Sequence, residues 1–135
     1  MANGYNSVTL IGRVKHNISV KPYRKGVQVR FFLEVEDLDF DPVYAKYQKH
    51  KEIFRIVFDG YRAVPYDTVL AAHPYLQVCG KLHTRTFKEK ILGDKAFEID
   101  IKTTRRGIVF LDEVNAGDEL LFYNAPKTSI QGPQW

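Results

Sequence analysis

The chain has 135 residues, of which 44% are hydrophobic, and it carries 20 Lys and Arg against 16 Asp and Glu. This length suits one domain with a proper core, and no apolar run approaches the ~20 residues of a membrane-spanning helix. The N-terminus lacks the basic and apolar regions of a signal peptide, so we expect a cytoplasmic protein.

The charge alternates in blocks along the chain. Residues 1–33 sum to +6, whereas residues 34–80 sum to −3, with 5 basic and 8 acidic side chains. Residues 81–106 return to +4 (8 basic, 4 acidic), and residues 107–135 fall to −3 (1 basic, 4 acidic). If the two basic blocks meet in the fold, they form a positive stripe that attracts phosphates. Otherwise they belong to a mixed, solvated surface.

Two strands joined by a basic turn open the chain. Residues 6–14 have the character of a strand, and residues 26–35 alternate apolar and polar side chains with a period of two. This alternation puts five apolar side chains on one face and leaves Arg30 and Phe32 on the other. Between the strands, Tyr23-Arg24-Lys25-Gly26 predicts a basic turn with one aromatic ring.

Residues 36–51 interrupt the alternating pattern. An acidic run ends at Pro42, which argues against a continuing central strand, and a basic run containing Tyr44 and Tyr47 follows. We interpret this segment as a long, mobile loop or hairpin. Loops of this length in compact domains are more often functional than idle.

A third strand and a helix come next. Residues 52–59 place Phe54, Ile56 and Phe58 on one face and Ile53 and Arg55 on the other. Because apolar residues occur on both faces, we expect a central strand or one covered by a partner. Residues 61–75 lack a period of two, and their two prolines bound a short helix.

The fourth and fifth strands form a predicted hairpin. Residues 76–88 are interrupted at Gly80, where we expect a bulge or sharp bend. The only cysteine, Cys79, lies in an apolar run and is expected to be a buried small side chain. Residues 96–102 follow a turn, with the odd-numbered apolar residues predicted to face inward and the even-numbered charged residues outward.

Five strands with one helix between the third and fourth are typical of an all-β fold, the five-stranded Greek-key OB-fold barrel that binds oligonucleotides. We assign residues 1–112 to this domain as a single-stranded nucleic-acid-binding unit. Residues 113–135 are assigned to a short C-terminal tail that is at most partly ordered.

Three motifs extend this interpretation: NSVTLIGRV at 6–14, EIFRIVFDG at 52–60 and VCGKLHTRTF at 78–87. In this order and spacing, the chain from Asn6 to about Leu111 resembles the bacterial and phage single-stranded DNA-binding proteins, as a divergent member of phage or mobile-element type. Ile53 stands where that family has a stacking tryptophan, Asp59 replaces a phenylalanine, and Phe87 replaces a second tryptophan but can still stack. The tail keeps a proline and a terminal Trp135 instead of the family's acidic tip.

The resemblance implies sequence-independent binding and protection of single-stranded DNA during replication, recombination or repair. One domain offers only a handful of stacking residues, and the third strand is apolar on both faces, so we expect a homo-oligomer, a dimer or tetramer. Replication or recombination proteins are further expected partners. Such binding needs aromatic planes for the bases and cations along the phosphates. The candidate stacking residues are Tyr23, Phe32, Tyr44, Tyr47 and Phe87. The candidate phosphate contacts are Arg13, Lys15, Arg24, Lys25, Arg30, Arg55, Lys81, Arg85, Lys88 and Arg105.

Each candidate has a structural alternative. Phe32 suits dimer packing as well as DNA, Tyr44 and Tyr47 could be solvated loop residues, and Phe87 could cover core. Any single cation could be an ordinary surface charge.

We expect no enzymatic activity, metal or cofactor. The four histidines lack metal-ligand spacing, the acidic run at 37–41 lacks the glycine and final glutamate of a calcium loop, and no phosphate-binding glycine loop occurs. The alternative function is an adaptor of the primosomal replication protein type, which uses the same fold mainly for protein contacts. The missing third-strand aromatic and acidic tip favour that alternative.

Overall fold

The computed structural model describes residues 4–15, 17–88 and 95–124, without the side chains of 86–88, 95–97 and 121. The elements in chain order are β1 (Val8–Val14), β2 (Ser19–Tyr23), β3 (Gly26–Asp41), β4 (Lys46–Gly60), α1 (Tyr66–Ala72), β5 (Tyr75–Lys88), β6 (Lys95–Phe110) and α2 (Ala116–Tyr123). None of the helices in this described part is long and apolar enough to span a membrane.

The strands close into a barrel of the predicted type. They run in the order β1-β5-β6-β4-β3-β2, and β1 also pairs with β3. The short strands β1 and β2 are halves of one bent strand. Strand β1 pairs with β5 along most of its length and with β3 at Arg13 and Val14, and β2 continues the pairing with β3. The bend needs Gly12, since a Cβ there would lie 2.3 Å from the Glu34 carbonyl oxygen. Counted this way the barrel has five strands, with α1 between the third and fourth, and the OB-fold prediction is confirmed.

The core follows the predicted alternation in the first half of the chain. Phe31 and Leu33 of β3 are fully buried, as are Ile56 and Phe58 of β4, whereas Phe54 is partly buried against the same cluster. Helix α1 closes one end of the barrel with Tyr66 and Leu70. Both faces of β4 are partly covered, because Val57 on the other face is 5% exposed.

The segment predicted as a mobile loop or hairpin is a regular hairpin. The ladder of β3 and β4 runs without a break from Val27↔Gly60 to Asp41↔Lys46. Pro42 lies in the turn, where its missing N–H costs no ladder hydrogen bond. The Asp41 carboxylate accepts hydrogen bonds from the backbone N–H groups of Val43 (2.9 Å) and Tyr44 (3.4 Å) and so fixes the turn. We call residues 36–51 the arm.

Two predictions about the second half are wrong. Cys79 is exposed instead of buried, because it belongs to the outward face of β5 at the bulge beside Gly80. Asp100, predicted to face solvent, is 4% exposed, and Ile99 is 60% exposed. Asp100 is covered by two arginines, whereas Ile99 lies on the part of the β5–β6 hairpin that extends past the core.

Strand β6 continues beyond the predicted fifth strand, residues 96–102, as far as Phe110. Its pairing with β5 contains a large bulge beside Gly80, where a bulge or bend was expected. Val78 pairs with Ile108, yet Gly80 pairs with Thr103, so two steps along β5 face five along β6. The extra residues, 104–107, include Arg105 and Arg106. The bulge therefore brings basic side chains to a strand that the sequence predicted to have ended.

The predicted tail contributes to the core. Helix α2 begins after Asn115, whose side chain accepts a hydrogen bond from the Asp118 N–H at 2.8 Å. Phe122 is fully buried, with its ring 4.9 Å from Phe110 and 5.3 Å from Tyr66 between centroids. Residues 113–124 are thus ordered against the barrel, whereas the remainder of the tail, including Trp135, lies outside the described residues.

Candidate nucleic-acid interface

One surface of the barrel carries most of the candidate residues. The side chains of β3, β4, β5 and β6 that alternate with the core residues point away from the barrel and form what we call the outer face. The ladder places Phe32 opposite Arg55 and Glu34 opposite Ile53, and it places Arg85 opposite Glu98. Arg30, Lys81, His83, Asp100 and Lys102 also belong to this face. It follows that charged and apolar groups from four strands share one surface.

Four charged side chains form a compact cluster in the middle of the outer face. Arg55 Nε donates to Asp100 Oδ1 at 2.5 Å, and Arg85 Nε donates to Asp100 Oδ2 at 2.9 Å. The Nη2 groups of both arginines donate to the same oxygen, Glu98 Oε2. The hydrogen bond from Arg55, together with the arginine charges, holds the pKa of Glu98 below its ordinary value. The two positive charges are therefore compensated within the barrel.

An apolar groove lies beside this cluster. Phe32, Ile53, Lys15 and Asn17 line a groove of about 380 Å³. Ile53 is 58% exposed, and Lys15 Nζ lies 3.4 Å from a Glu34 carboxylate oxygen. A groove with an aromatic ring, an aliphatic side chain and a cation at its rim suits a planar base whose phosphate stays in solvent.

The arm extends the outer face away from the barrel. Its ladder pairs Leu38 with Lys49 and Phe40 with Tyr47, so these four residues follow Ile53 on the same side. The Phe40 and Tyr47 rings meet edge to face, 5.2 Å apart, and both rings are more than half exposed. The two arm lysines on this side of the ribbon share Glu36, at 3.6 and 3.8 Å. This side of the arm therefore offers exposed rings with lysines next to them.

Exposed tyrosines are paired with cations at three other places. The guanidinium of Arg13 lies 4.3 Å from the Tyr75 ring centroid, and that of Arg24 lies 5.1 Å from the Tyr23 ring. Lys46 Nζ lies 5.7 Å from the Tyr44 ring. Each tyrosine is at least 36% exposed. Each pair places an aromatic ring that can stack on a base next to a positive charge that can contact a phosphate.

A second basic area lies where β5 and β6 leave the barrel. Lys81 and Lys102 face each other directly in the ladder, an arrangement that costs stability in the absence of an anion. Neither forms an ion pair with another described residue. With His83 and Thr103 they line an open cavity of about 530 Å³ that Asn6 and one carboxylate, Asp59, also border. The area has the composition of a phosphate-binding surface.

The structure separates thirteen of the fifteen predicted residues into three groups. Arg30, Phe32, Tyr47, Arg55, Lys81 and Arg85 belong to the outer face or to the side of the arm continuous with it, with Lys15 at its rim. Arg13, the turn residues Tyr23, Arg24 and Lys25, and Tyr44 at the arm tip are near its borders or elsewhere on the surface. Arg105 is half-buried, with its guanidinium 4.2 Å from the centroid of the Tyr61 ring.

Two predicted residues cannot be placed further. Phe87 and Lys88 are at the end of β5, but their side chains lie outside the described residues. Their assignment to DNA contacts stays a prediction.

Three residues with the right chemistry escaped the sequence reasoning. Tyr75 precedes the predicted fourth strand, and only its pairing with Arg13 in the β1–β5 ladder brings it next to a cation. Phe40 lies within an acidic run that is predicted to be a loop or hairpin. Its spacing of two from Leu38 is the sequence signal that both side chains lie on one side of a strand. The alternation of the fifth strand predicts only that Lys102 points outward, and its position opposite Lys81 depends on the register between β5 and β6.

The chain was compared with known proteins by sequence and by structure. No protein-family model matches the sequence, and no curated protein does either. Among solved structures, the chain is similar to a Plasmodium falciparum single-stranded DNA-binding protein in complex with single-stranded DNA. The TM-score is 0.62 at 21% identity, over 83% of this chain and 99% of that one.

Two bacterial structures show the same likeness. A small single-stranded DNA-binding protein from Streptomyces coelicolor matches with a TM-score of 0.51 and 20% identity, over 77% of this chain and 92% of that one. A deletion mutant of the Thermus aquaticus single-stranded DNA-binding protein matches with a TM-score of 0.62 and 20% identity, over 83% of this chain and 53% of that one. These likenesses confirm, at the level of the fold, the resemblance that the sequence motifs indicated.

Proposed function

We propose that this protein binds single-stranded DNA without sequence preference and protects it during replication, recombination or repair. The observation that carries the proposal is a set of three exposed tyrosines, each with a cation 4.3 to 5.7 Å from its ring centroid. They lie where β1 pairs with β5, in the turn between β2 and β3, and at the tip of the arm. These rings lie on the surface and not in the core, so they are accessible for stacking on bases. Rings and cations together are what a non-specific single-strand site needs.

The fold likeness to three single-stranded DNA-binding proteins supports the same function. Base stacking on the tyrosines and on Phe32 would supply about 1–3 kcal/mol per base, and the uncompensated cations would supply the salt-dependent part. Lys81, Lys102 and the basic turn are the best candidates for phosphate contacts, because none of them forms an ion pair with a described residue, although Asp59 borders the cavity of the two lysines.

We further propose a homo-oligomer, a dimer or tetramer with closed symmetry. One barrel offers only a few rings, and the exposed apolar side of the arm is suited to a second copy as well as to DNA. Light scattering over a range of protein concentrations tests this proposal, and a concentration-independent monomer would contradict it.

The primary test is binding of labelled oligo-dT measured by fluorescence anisotropy, with duplex DNA and oligo-U as competitors. The proposal predicts tight binding to oligo-dT, weak binding to the duplex, and protection of oligo-dT from a single-strand exonuclease. Equal affinity for duplex and single strands, or no protection at saturating protein, would refute it.

A specific observation also favours the adaptor function as a second candidate. The centre of the outer face is electrically compensated, because Arg55 and Arg85 are both paired with carboxylates. A coating protein gains from free charge there, whereas an adaptor that acts through protein contacts does not. An adaptor would bind oligo-dT weakly and would need a second protein to do so tightly, which the same titration distinguishes.

A further inference from the structure

The charged cluster on the outer face is asymmetric. The side chain of Asp100 is 5% exposed and holds the Nε atoms of both Arg55 and Arg85. The side chain of Glu98 is 39% exposed and takes the Nη2 atoms of the same two arginines on a single oxygen. Asp100 is therefore the inner support of the cluster, and Glu98 is its outer, solvent-facing member.

The inner support orients both guanidinium groups. With each Nε fixed on Asp100, the two Nη2 groups converge on one point at the surface. Arginine recognises carboxylate and phosphate with the same fork of donors, so a point that accepts a carboxylate oxygen from two guanidinium groups also suits a phosphate oxygen. Removing Glu98 would leave two oriented donors and an unpaired positive charge.

The surroundings of the cluster favour an anion. Arg30, His83 and Lys102 line a small cavity together with Arg85 and Asp100. Arg30 donates to the neutral Gln28 side chain at 3.2 Å, and neither it nor Lys102 forms an ion pair with a described residue. Two further cations and a histidine therefore lie beside Arg85 and the inner carboxylate, Asp100. Among the described residues, the only carboxylates paired with the two arginines are Glu98 and Asp100.

We propose that Glu98 occupies a phosphate site formed by Arg55 and Arg85 in the free protein, and that a phosphate of a bound single strand displaces it. This inference rests on the proposed function but concerns a site that can be tested without DNA. Glu98 acts as an internal competitor that weakens binding, whereas Asp100 is a positioning residue that keeps the two arginines in place.

The test compares Glu98→Gln with Glu113→Gln, which removes the same charge from an exposed position between β6 and α2. The first readout is the melting temperature in inorganic phosphate at constant ionic strength. Phosphate should raise the melting temperature of Glu98→Gln and leave that of Glu113→Gln and of the wild type nearly unchanged. Equal responses in the two variants would overturn the proposed site.

The second readout is affinity for oligo-dT as a function of salt. Each additional phosphate neutralised on a single strand adds about 0.7 to the slope of log affinity against log salt. Glu98→Gln should therefore show a steeper slope. If its affinity equals that of the wild type near 1 M salt, a slope difference of about 0.7 makes its binding about fivefold tighter near 0.1 M salt. A slope and affinity equal to those of Glu113→Gln would refute the competition.

A double variant separates the site from net charge. Glu98→Gln combined with Arg85→Gln restores the charge balance of the cluster and should lose both gains, because one half of the fork is missing. If Glu98→Gln does not fold, Glu98→Asp replaces it in the test. This variant keeps the charge but shortens the side chain by one methylene, so its gains in phosphate response and in oligo-dT affinity should have the same sign and be smaller. Failure of every variant, including the wild type, to bind oligo-dT would contradict the proposed function, whereas the phosphate readout would still decide the site.

Discussion

Replacement of Ile53 by tryptophan tests the assignment of the outer face. Ile53 occupies the position of a stacking tryptophan in the family that the sequence resembles, and its side chain is 58% exposed beside the groove formed with Phe32 and Lys15. The indole can extend into this groove without entering the core, whose residues on β4 are Ile56 and Phe58. The variant should fold with a free energy of unfolding within about 0.5 kcal/mol of the parent, as exposed substitutions generally do.

The expected gain follows from one additional stacked base. Stacking on an aromatic side chain contributes about 1–3 kcal/mol, which corresponds to between about fivefold and about 150-fold in affinity at about 1.4 kcal/mol per tenfold change. Ile53 already gives a stacked base some apolar contact, so the lower half of that range is expected. The slope against log salt should not change, because no charge is added.

The assay uses the intrinsic fluorescence of the new indole. Trp135 is the only tryptophan of the chain, so Trp135→Phe provides a silent background for Ile53→Trp. Oligo-dT should quench the new tryptophan and bind more tightly than to the background protein. Leu120→Trp is the matched control, because Leu120 is 62% exposed on α2, away from the outer face, and it should show neither effect.

Two results would refute this reasoning. If Ile53→Trp folds but shows no quenching and no gain, the groove does not receive a base. If instead Leu120→Trp is quenched and Ile53→Trp is not, DNA follows the side of the barrel that carries α2, and the outer face has another role.

Four further outcomes are expected. Phe122→Ala should lower the free energy of unfolding by about 3–5 kcal/mol, because its ring is fully buried among other rings, whereas Leu120→Ala should change it by less than about 0.5 kcal/mol in urea titrations. Tyr75→Ala should weaken oligo-dT binding by about 1–3 kcal/mol if its ring stacks, and an unchanged affinity in anisotropy would remove it from the interface.

Burial raises the pKa of the Tyr66 phenol, so the stability due to the neutral phenol should be complete below about pH 10 and should be lost as the pH rises through the raised folded value. Thermal melts at alkaline pH would show this loss, and Tyr66→Phe should reduce it. The logarithm of oligo-dT affinity should fall linearly with the logarithm of salt, by roughly 0.7 per neutralised phosphate, and affinity independent of salt would contradict the role of the cations.

The sequence by itself determined the features that depend on local periodicity. The alternation of β3 from Val27 to Leu33, and of β4 from Phe54 to Phe58, identified the core faces, because side chains one residue apart in a strand point to opposite sides. Gly80 marked an irregularity within β5, and two prolines marked the limits of α1. Together with the order of elements, these local signals were sufficient to predict the OB-fold.

Only the tertiary structure decided which charges are free and which exposed rings have partners. The alternation of β6 predicts that Asp100 points outward into solvent, yet Asp100 is buried because two arginines from other strands converge on it. Helix α2 lies in the predicted tail, and the role of Phe122 appears only once the rings of Phe58, Tyr66 and Phe110, from other parts of the chain, pack around it. Tyr75 and Arg13 are 62 positions apart in the chain. Such contacts depend on register between distant strands, which no period within a single segment records.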